Sequence, residues 1–177
     1  MQLSLMKTFD HCLKIVLKHE GGFVNHPQDP GGATNLGVTK ATYERWVKRT
    51  VSVEEIKTLT VKDVEPIYRS QYWDRMSCDQ LPTGIDLMVF DFGVNAGPSR
   101  AIRFLQKIVK AKEDGVLGPR TLSAALNIHN PVVAIMDFKT LRLDYYRRLS
   151  TFTVFGRGWT RRTEEVTEEA LSMLTKF

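Results

Sequence analysis

Phe9, Cys12, Leu13, Val16 and Leu17 recur three and four positions apart, which lines one face of a helix over roughly residues 4–19 with apolar side chains. The next helix is predicted from its cap at Thr39 through Trp46. Two more are predicted over 52–58 and 60–72, where Ser52 with Glu55, and Thr60 with Asp63, set an acceptor side chain and a carboxylate in each first turn. Residues 85–95 are apolar almost throughout, as a buried central helix would be, although a run of this kind also fits a strand. Helical spacing resumes over 98–110, 119–127, 131–149 and 159–175. The predicted class is all-α, with a short loop or β-hairpin after the first helix.

That loop is the least helical part of the chain. Glu20 closes the first helix, Gly21 and Gly22 can take the left-handed backbone that ends helices, and Pro27 and Pro30 prevent the helix from resuming. Later punctuation falls at Asn95–Arg100, a helix-to-helix turn with Pro98 near a helix start, and at Glu113–Thr121, an Asp-Gly turn followed by Gly118 and Pro119. A boundary is expected near residues 80–84. It divides 1–82 from 83–177, with one core shared because the apolar run after Gly84 needs covering.

Composition narrows the class without choosing a function. With 177 residues, 42% apolar and 25% charged, the chain is long enough to bury about 70% of its unfolded surface without staples. Cys12 and Cys78 form neither a CxxC pair nor part of a zinc-ligand cluster, and are read as reduced structural thiols. No metal or organic cofactor is expected. The amino-terminal segment is too polar for a signal peptide or a spanning helix, because Asp10, His11 and Lys14 interrupt it. Synthesis in the cytoplasm and release through another route, such as a holin-type pore, is therefore expected. A net charge of +5 favours an anionic partner, which nucleic acid, a membrane surface or an acidic wall polymer would each satisfy. A nucleic-acid binder has only this charge in its favour.

Glu20 raises the question of chemistry. A carboxyl at a helix carboxyl terminus lies beside the negative end of the macrodipole, and shielding from water adds to the same preference for the protonated form. Cleavage of a glycosidic bond needs such a proton donor at the leaving oxygen, with a second carboxylate or a water opposite. Asp29 follows after eight intervening residues on a loop able to fold back, a reach compatible with the roughly 6.5–9.5 Å that separates an acid from a base serving water. Thr34 offers a hydroxyl to hold that water, and Asn35 an amide for a sugar or for backbone. Each also has a plain structural role: Glu20 as a solvated helix end, Asp29 as the opening of a turn, Thr34 as a loop hydroxyl.

The motifs around these residues are more specific. EGGF at 20–23, DPGGATNLGVT at 29–39, YWD at 72–74, LP at 81–82 and FDFGVNAGP at 90–98 together resemble glycoside hydrolase family 108, the phage and bacterial N-acetylmuramidases. The second half resembles the helical peptidoglycan-binding module often joined to that catalytic region, through Phe104, Leu105 and Gln106, DGVLGPRT at 114–121 and GWTRR at 158–162. The resemblance implies a lysozyme-like endolysin that hydrolyses the β-1,4 bond between N-acetylmuramic acid and N-acetylglucosamine, with Glu20 as general acid. Asp29 and Thr34 match the same motif, and the order Glu, Asp, Thr is similar to the triad of other phage lysozymes, where the last gap is one residue longer. The partner is peptidoglycan, met in the periplasm or outside the cell, with no nucleic acid and no stable membrane insertion.

A glycan groove also needs flat apolar faces and amides. Tyr43, Trp46, Tyr72 and Trp73 are candidates for the faces, with packing in the core as the alternative, and Asp91 and Asn95 for acetamido groups. Asp91 between Phe90 and Phe92 either pairs with a backbone or arginine donor or faces the cleft. A lytic transglycosylase, using one carboxyl and no hydrolytic water, and a noncatalytic wall-binding protein are the competing readings.

Overall fold

The computed structural model describes residues 2–25 and 32–176, and the chain divides into two compact units, Met1–Gln71 and Tyr72–Phe177. The fold is mainly α, with one small antiparallel hairpin among the described residues.

In the first unit, α1 (Gln2–Glu20) buries the predicted stripe of Phe9, Cys12, Leu13, Val16 and Leu17. It ends at Gly21, whose φ of +79° is the left-handed conformation expected there. The hairpin pairs β1 (Thr34–Asn35) with β2 (Val38–Thr39), in register Thr34 with Thr39 and Asn35 with Val38. Val24 adds an antiparallel bridge to Thr34, with backbone hydrogen bonds of 2.8 Å in both directions. Thr39 then caps α2 (Lys40–Val47), its hydroxyl accepting from the Thr42 N–H. Ser52 and Glu55 cap α3 (Val53–Lys57) reciprocally. Before α4 (Val61–Tyr68), the Asp63 carboxylate accepts from both the backbone N–H and the hydroxyl of Thr60, at 2.8 and 2.6 Å.

The helix expected over 60–72 is shorter as an α-helix. Pro66 inside α4 removes one backbone donor, and after Tyr68 the chain widens into a π-helical turn over Arg69–Trp73.

The second unit is built on α5 (Ile85–Ala96), which is buried from Ile85 to Gly93 and packs against α6 (Pro98–Ile108), α8 (Pro131–Arg147) and α9 (Phe152–Lys176). The short α7 (Pro119–Leu126) follows the Asp-Gly turn. There Gln106 binds the Asp114 carboxylate, the Val116 carbonyl and the Gly115 N–H, so the motif at 114–121 is held by a buried amide on α6. The last helix starts seven residues before the predicted 159 and takes in Gly156 and Gly158. Gly156 lies against the ring of Phe152, where a side chain would meet that ring.

Asp86, in the first turn of α5, is 3% exposed. Burial pushes its carboxyl up to about 7, against the backbone N–H of Leu87, which it accepts at 2.7 Å and which favours the ionised form. The unfolded chain ionises this group near pH 4, so between about pH 4 and 7 each pH unit costs the folded state about 1.4 kcal/mol. Asp86→Asn keeps an acceptor for Leu87 and removes the titration. Its stability relative to the parent should therefore rise from pH 4 to pH 7 in urea unfolding and be level above that; a constant difference across the range would show that Asp86 ionises as freely folded as unfolded.

Candidate functional site

Helix α1 delivers Glu20 at its carboxyl terminus, half-buried. What it packs against is the turn of the hairpin. Leu36 and Gly37 both have positive φ, +49° and +73°, as a two-residue turn of the primed kind requires. Leucine is an uncommon residue in that conformation, and the strain of such a site is of order 1–3 kcal/mol. Tyr68 at the end of α4 holds the turn by donating its hydroxyl proton to the Leu36 carbonyl at 2.9 Å.

Gly37 is needed for space as well as for conformation. A Cβ on it would lie 2.9 Å from Glu20 Oε2 and 3.0 Å from Glu20 Cβ, and would strike the Tyr68 hydroxyl. The glutamate, the turn and the tyrosine thus meet at one point of the first unit. Gly37→Ala is expected to displace the Glu20 carboxylate, lowering turnover at least tenfold and stability by about 1 kcal/mol or more, the usual cost of a Cβ in the left-handed region. Turnover and thermal unfolding check this. Unchanged turnover would mean that the seat of Glu20 does not matter.

The other predicted residues are distributed unevenly. Thr34 is half-buried on β1, its backbone paired with Val24 on one side and Thr39 on the other. Asp29 lies outside the described residues. Asn35 takes the backbone alternative: its amide is buried and donates to the carbonyls of Ile56 and Lys57 at 2.9 and 3.0 Å, tying the hairpin to the end of α3. Tyr43 is half-buried and lines a small cavity of about 170 Å³ with Glu55, Thr58, Leu59 and Asp63.

In the second unit, Tyr72 is half-buried, while Trp73 is a core residue, its ring edge-on to Phe90 and its indole N–H donating to Asp79 at 2.8 Å. Asp91 takes the arginine alternative. Enclosed completely, it binds Arg142 at 2.6 Å and Arg162 at 2.8 Å. Burial alone would raise its carboxyl, but the two guanidinium groups outweigh that and hold it below the usual range. Asn95 is half-buried, and its Oδ1 accepts from the Tyr146 hydroxyl.

Periodicity and motif did not point to Tyr68 or to the packing role of Gly37. A Leu-Gly pair between two short strands is a turn signal that could have found the second. Among the described residues, no group of three or more His, Cys, Asp or Glu side chains is placed to hold a metal ion, and no helix is long and apolar enough to cross a membrane.

A family model described as Glycosyl hydrolase 108 matches residues 13–97. The solved structure of SagA from Brucella abortus is 40% identical, with a TM-score of 0.80, and the match covers 98% of this chain and 97% of that one. The chain belongs to the glycosyl hydrolase 108 family. No curated protein matches it. Family membership makes the protein a glycoside hydrolase with a lysozyme-like, mainly helical fold, and points to peptidoglycan as the glycan and to a wall target in the periplasm or outside the cell. The family segment runs from within α1 to the turn after α5, so it contains Glu20, the hairpin and Tyr68, while the likeness to SagA extends over the remaining helices as well.

Proposed function

We propose that the protein is an N-acetylmuramidase, hydrolysing the β-1,4 bond between N-acetylmuramic acid and N-acetylglucosamine with Glu20 as general acid. The observation that carries this is the seat of Glu20: a carboxyl at the end of α1, half-buried, with the hairpin turn against it and a glycine keeping that contact open. A carboxyl held in this way can hand its proton to the leaving sugar oxygen without swinging away into solvent. Asp29, five residues before Thr34 in the sequence, is assigned the activation of water, and Thr34 its positioning, on the strength of the family motif. The residues after 82 are assigned to holding the wall. Lysis of a host cell after pore-mediated release is the setting in which these assignments fit together.

Product analysis tests the reading. Purified sacculi are digested, the fragments reduced with borohydride and weighed by mass spectrometry. Hydrolysis by a muramidase leaves reduced muramic acid at the new ends. Reduced glucosamine ends would mean that the neighbouring bond is cut, and 1,6-anhydro ends would mean a transglycosylase.

A further inference from the structure

The first turn of α9 lacks the acidic residue that would offset the positive end of the helix macrodipole. It presents Val154 and Phe155 instead, 72% and 54% exposed, and Val154 is the most exposed large apolar side chain among the described residues. Two apolar side chains in water mean little by themselves. They lie, however, within a stretch of chain, residues 145–163, that holds five arginines and no carboxylate.

The fold gathers four of these arginines at one corner of the second unit. Arg147 closes α8 and Arg148 caps it, and hydrogen bonds from the Leu149 N–H to the Tyr146 carbonyl, from Phe152 to Leu149 and from Val154 to Thr151 turn the chain directly into α9. On α9, Val154, Arg157 and Arg161 follow at spacings of three and four and share a face, with Phe155 beside them, its ring 5.6 Å from that of Trp159. The fifth, Arg162, turns inward to Asp91 and is no part of this surface. Arg147 and Arg161 reach Asp144 and Glu165 at 3.0 and 4.0 Å, but both pairs stand in water, where an ion pair is weak. Arg148 and Arg157 are exposed and have no carboxylate partner among the described residues.

Val154 and Phe155 decide which anionic partner this corner suits. A wall polymer would answer the arginines and leave both apolar side chains in water, and a nucleic acid could stack on Phe155 alone. The interface of a bilayer with anionic headgroups answers both features, taking the apolar side chains at the acyl boundary and the guanidinium groups among the phosphates. Arginine suits that role, because its planar fork binds phosphate through two N–H donors.

We propose that the corner formed by the end of α8 and the start of α9 docks the protein on an anionic phospholipid surface, with Val154 and Phe155 in the interface and Arg148 and Arg157 on headgroup phosphates. The contact is peripheral. It goes beyond the muramidase reading and does not depend on it.

The test is co-sedimentation of the full chain with vesicles at low salt. Vesicles of phosphatidylcholine and phosphatidylglycerol in equal parts should be preferred over pure phosphatidylcholine by about tenfold or more. On the anionic vesicles, Val154→Ser with Phe155→Ser should lower the partition coefficient about tenfold. Arg148→Gln with Arg157→Gln should lower it by at least about tenfold, since one arginine near such a surface is worth roughly fivefold. Lys110→Gln with Lys112→Gln removes the same charge elsewhere: Lys110 lines a cavity with Asn130, which caps the start of α8, so this pair lies a 17-residue helix away. That control should stay within about twofold of the parent. All six positions are exposed, so thermal unfolding midpoints should match the parent.

A wild type that binds both kinds of vesicle alike, or neither, overturns the inference. So does an equal loss in the lysine control, which would reduce the effect to net charge, and so does an unaltered partition in Val154→Ser with Phe155→Ser. The corner variants are also read on lipid-free sacculi in the Glu20→Gln protein. Losses there that match those on vesicles would make the corner a wall contact and overturn the inference, whereas failure of the muramidase reading would leave the vesicle result standing.

Discussion

Replacing Glu20 by Gln is expected to lower turnover on sacculi by about 10²- to 10⁴-fold, the range in which loss of a positioned acid is felt. The amide matches the carboxyl in size, so the packing against Gly37 survives and the fold should be unaffected. What disappears is the transferable proton: an amide N–H can hydrogen-bond a sugar oxygen but cannot protonate it as the bond breaks. Substrate retention should therefore persist while kcat falls, with the thermal unfolding midpoint close to that of the parent. Steady-state release of soluble fragments, read beside sacculus co-sedimentation, separates the two. A variant that loses binding together with turnover would place Glu20 in substrate holding and leave the acid to another residue.

The largest effect on stability is expected for Asp91→Asn. Removing the carboxylate takes from Arg142 and Arg162 the buried anion that both bind, and breaking a buried ion pair by removing one partner costs about 3–5 kcal/mol. Arg142→Met should cost less, because Asp91 then keeps its bonds to Arg162, although the contacts of Arg142 with Tyr146 and with the ring of Phe92 are lost. Urea unfolding of both variants checks the order. Equal losses would mean that the Asp91 carboxylate is worth no more to the fold than the Arg142 guanidinium alone.

Much of the helical framework was legible because it rests on local physics. The α1 stripe, the caps at Thr39, Ser52 and Thr60 and the apolar α5 each need only a few neighbouring residues to be read. Where the reading went wrong, the error lay in where a helix begins or changes its pitch. Gly156 fell outside the helix expected over 159–175, yet it lies inside α9, one turn after Phe152. Pro66 was compatible with one helix over 60–72, but the chain widens at Arg69.

The site shows the same divide. Glu20 stood out as a carboxylate followed by two glycines, a local signal. Tyr68 did not, because its role is a bond to Leu36, thirty-two residues away, and no periodicity reports a partner at that distance. Asn35 and Asp91 were ambiguous as sequence for a related reason: a polar side chain near a motif serves ligand or fold according to what lies opposite. For these two, backbone carbonyls and arginines lie opposite.

The most direct test of Glu20 as the acid is a crystal structure of the Glu20→Gln protein with a tetrasaccharide of alternating N-acetylglucosamine and N-acetylmuramic acid. The side-chain amide at position 20 should lie within about 3.2 Å of a glycosidic oxygen that joins muramic acid to glucosamine. An ordered glycan whose glycosidic oxygens all lie beyond the reach of that side chain, with another carboxyl beside one of them, would contradict the assignment.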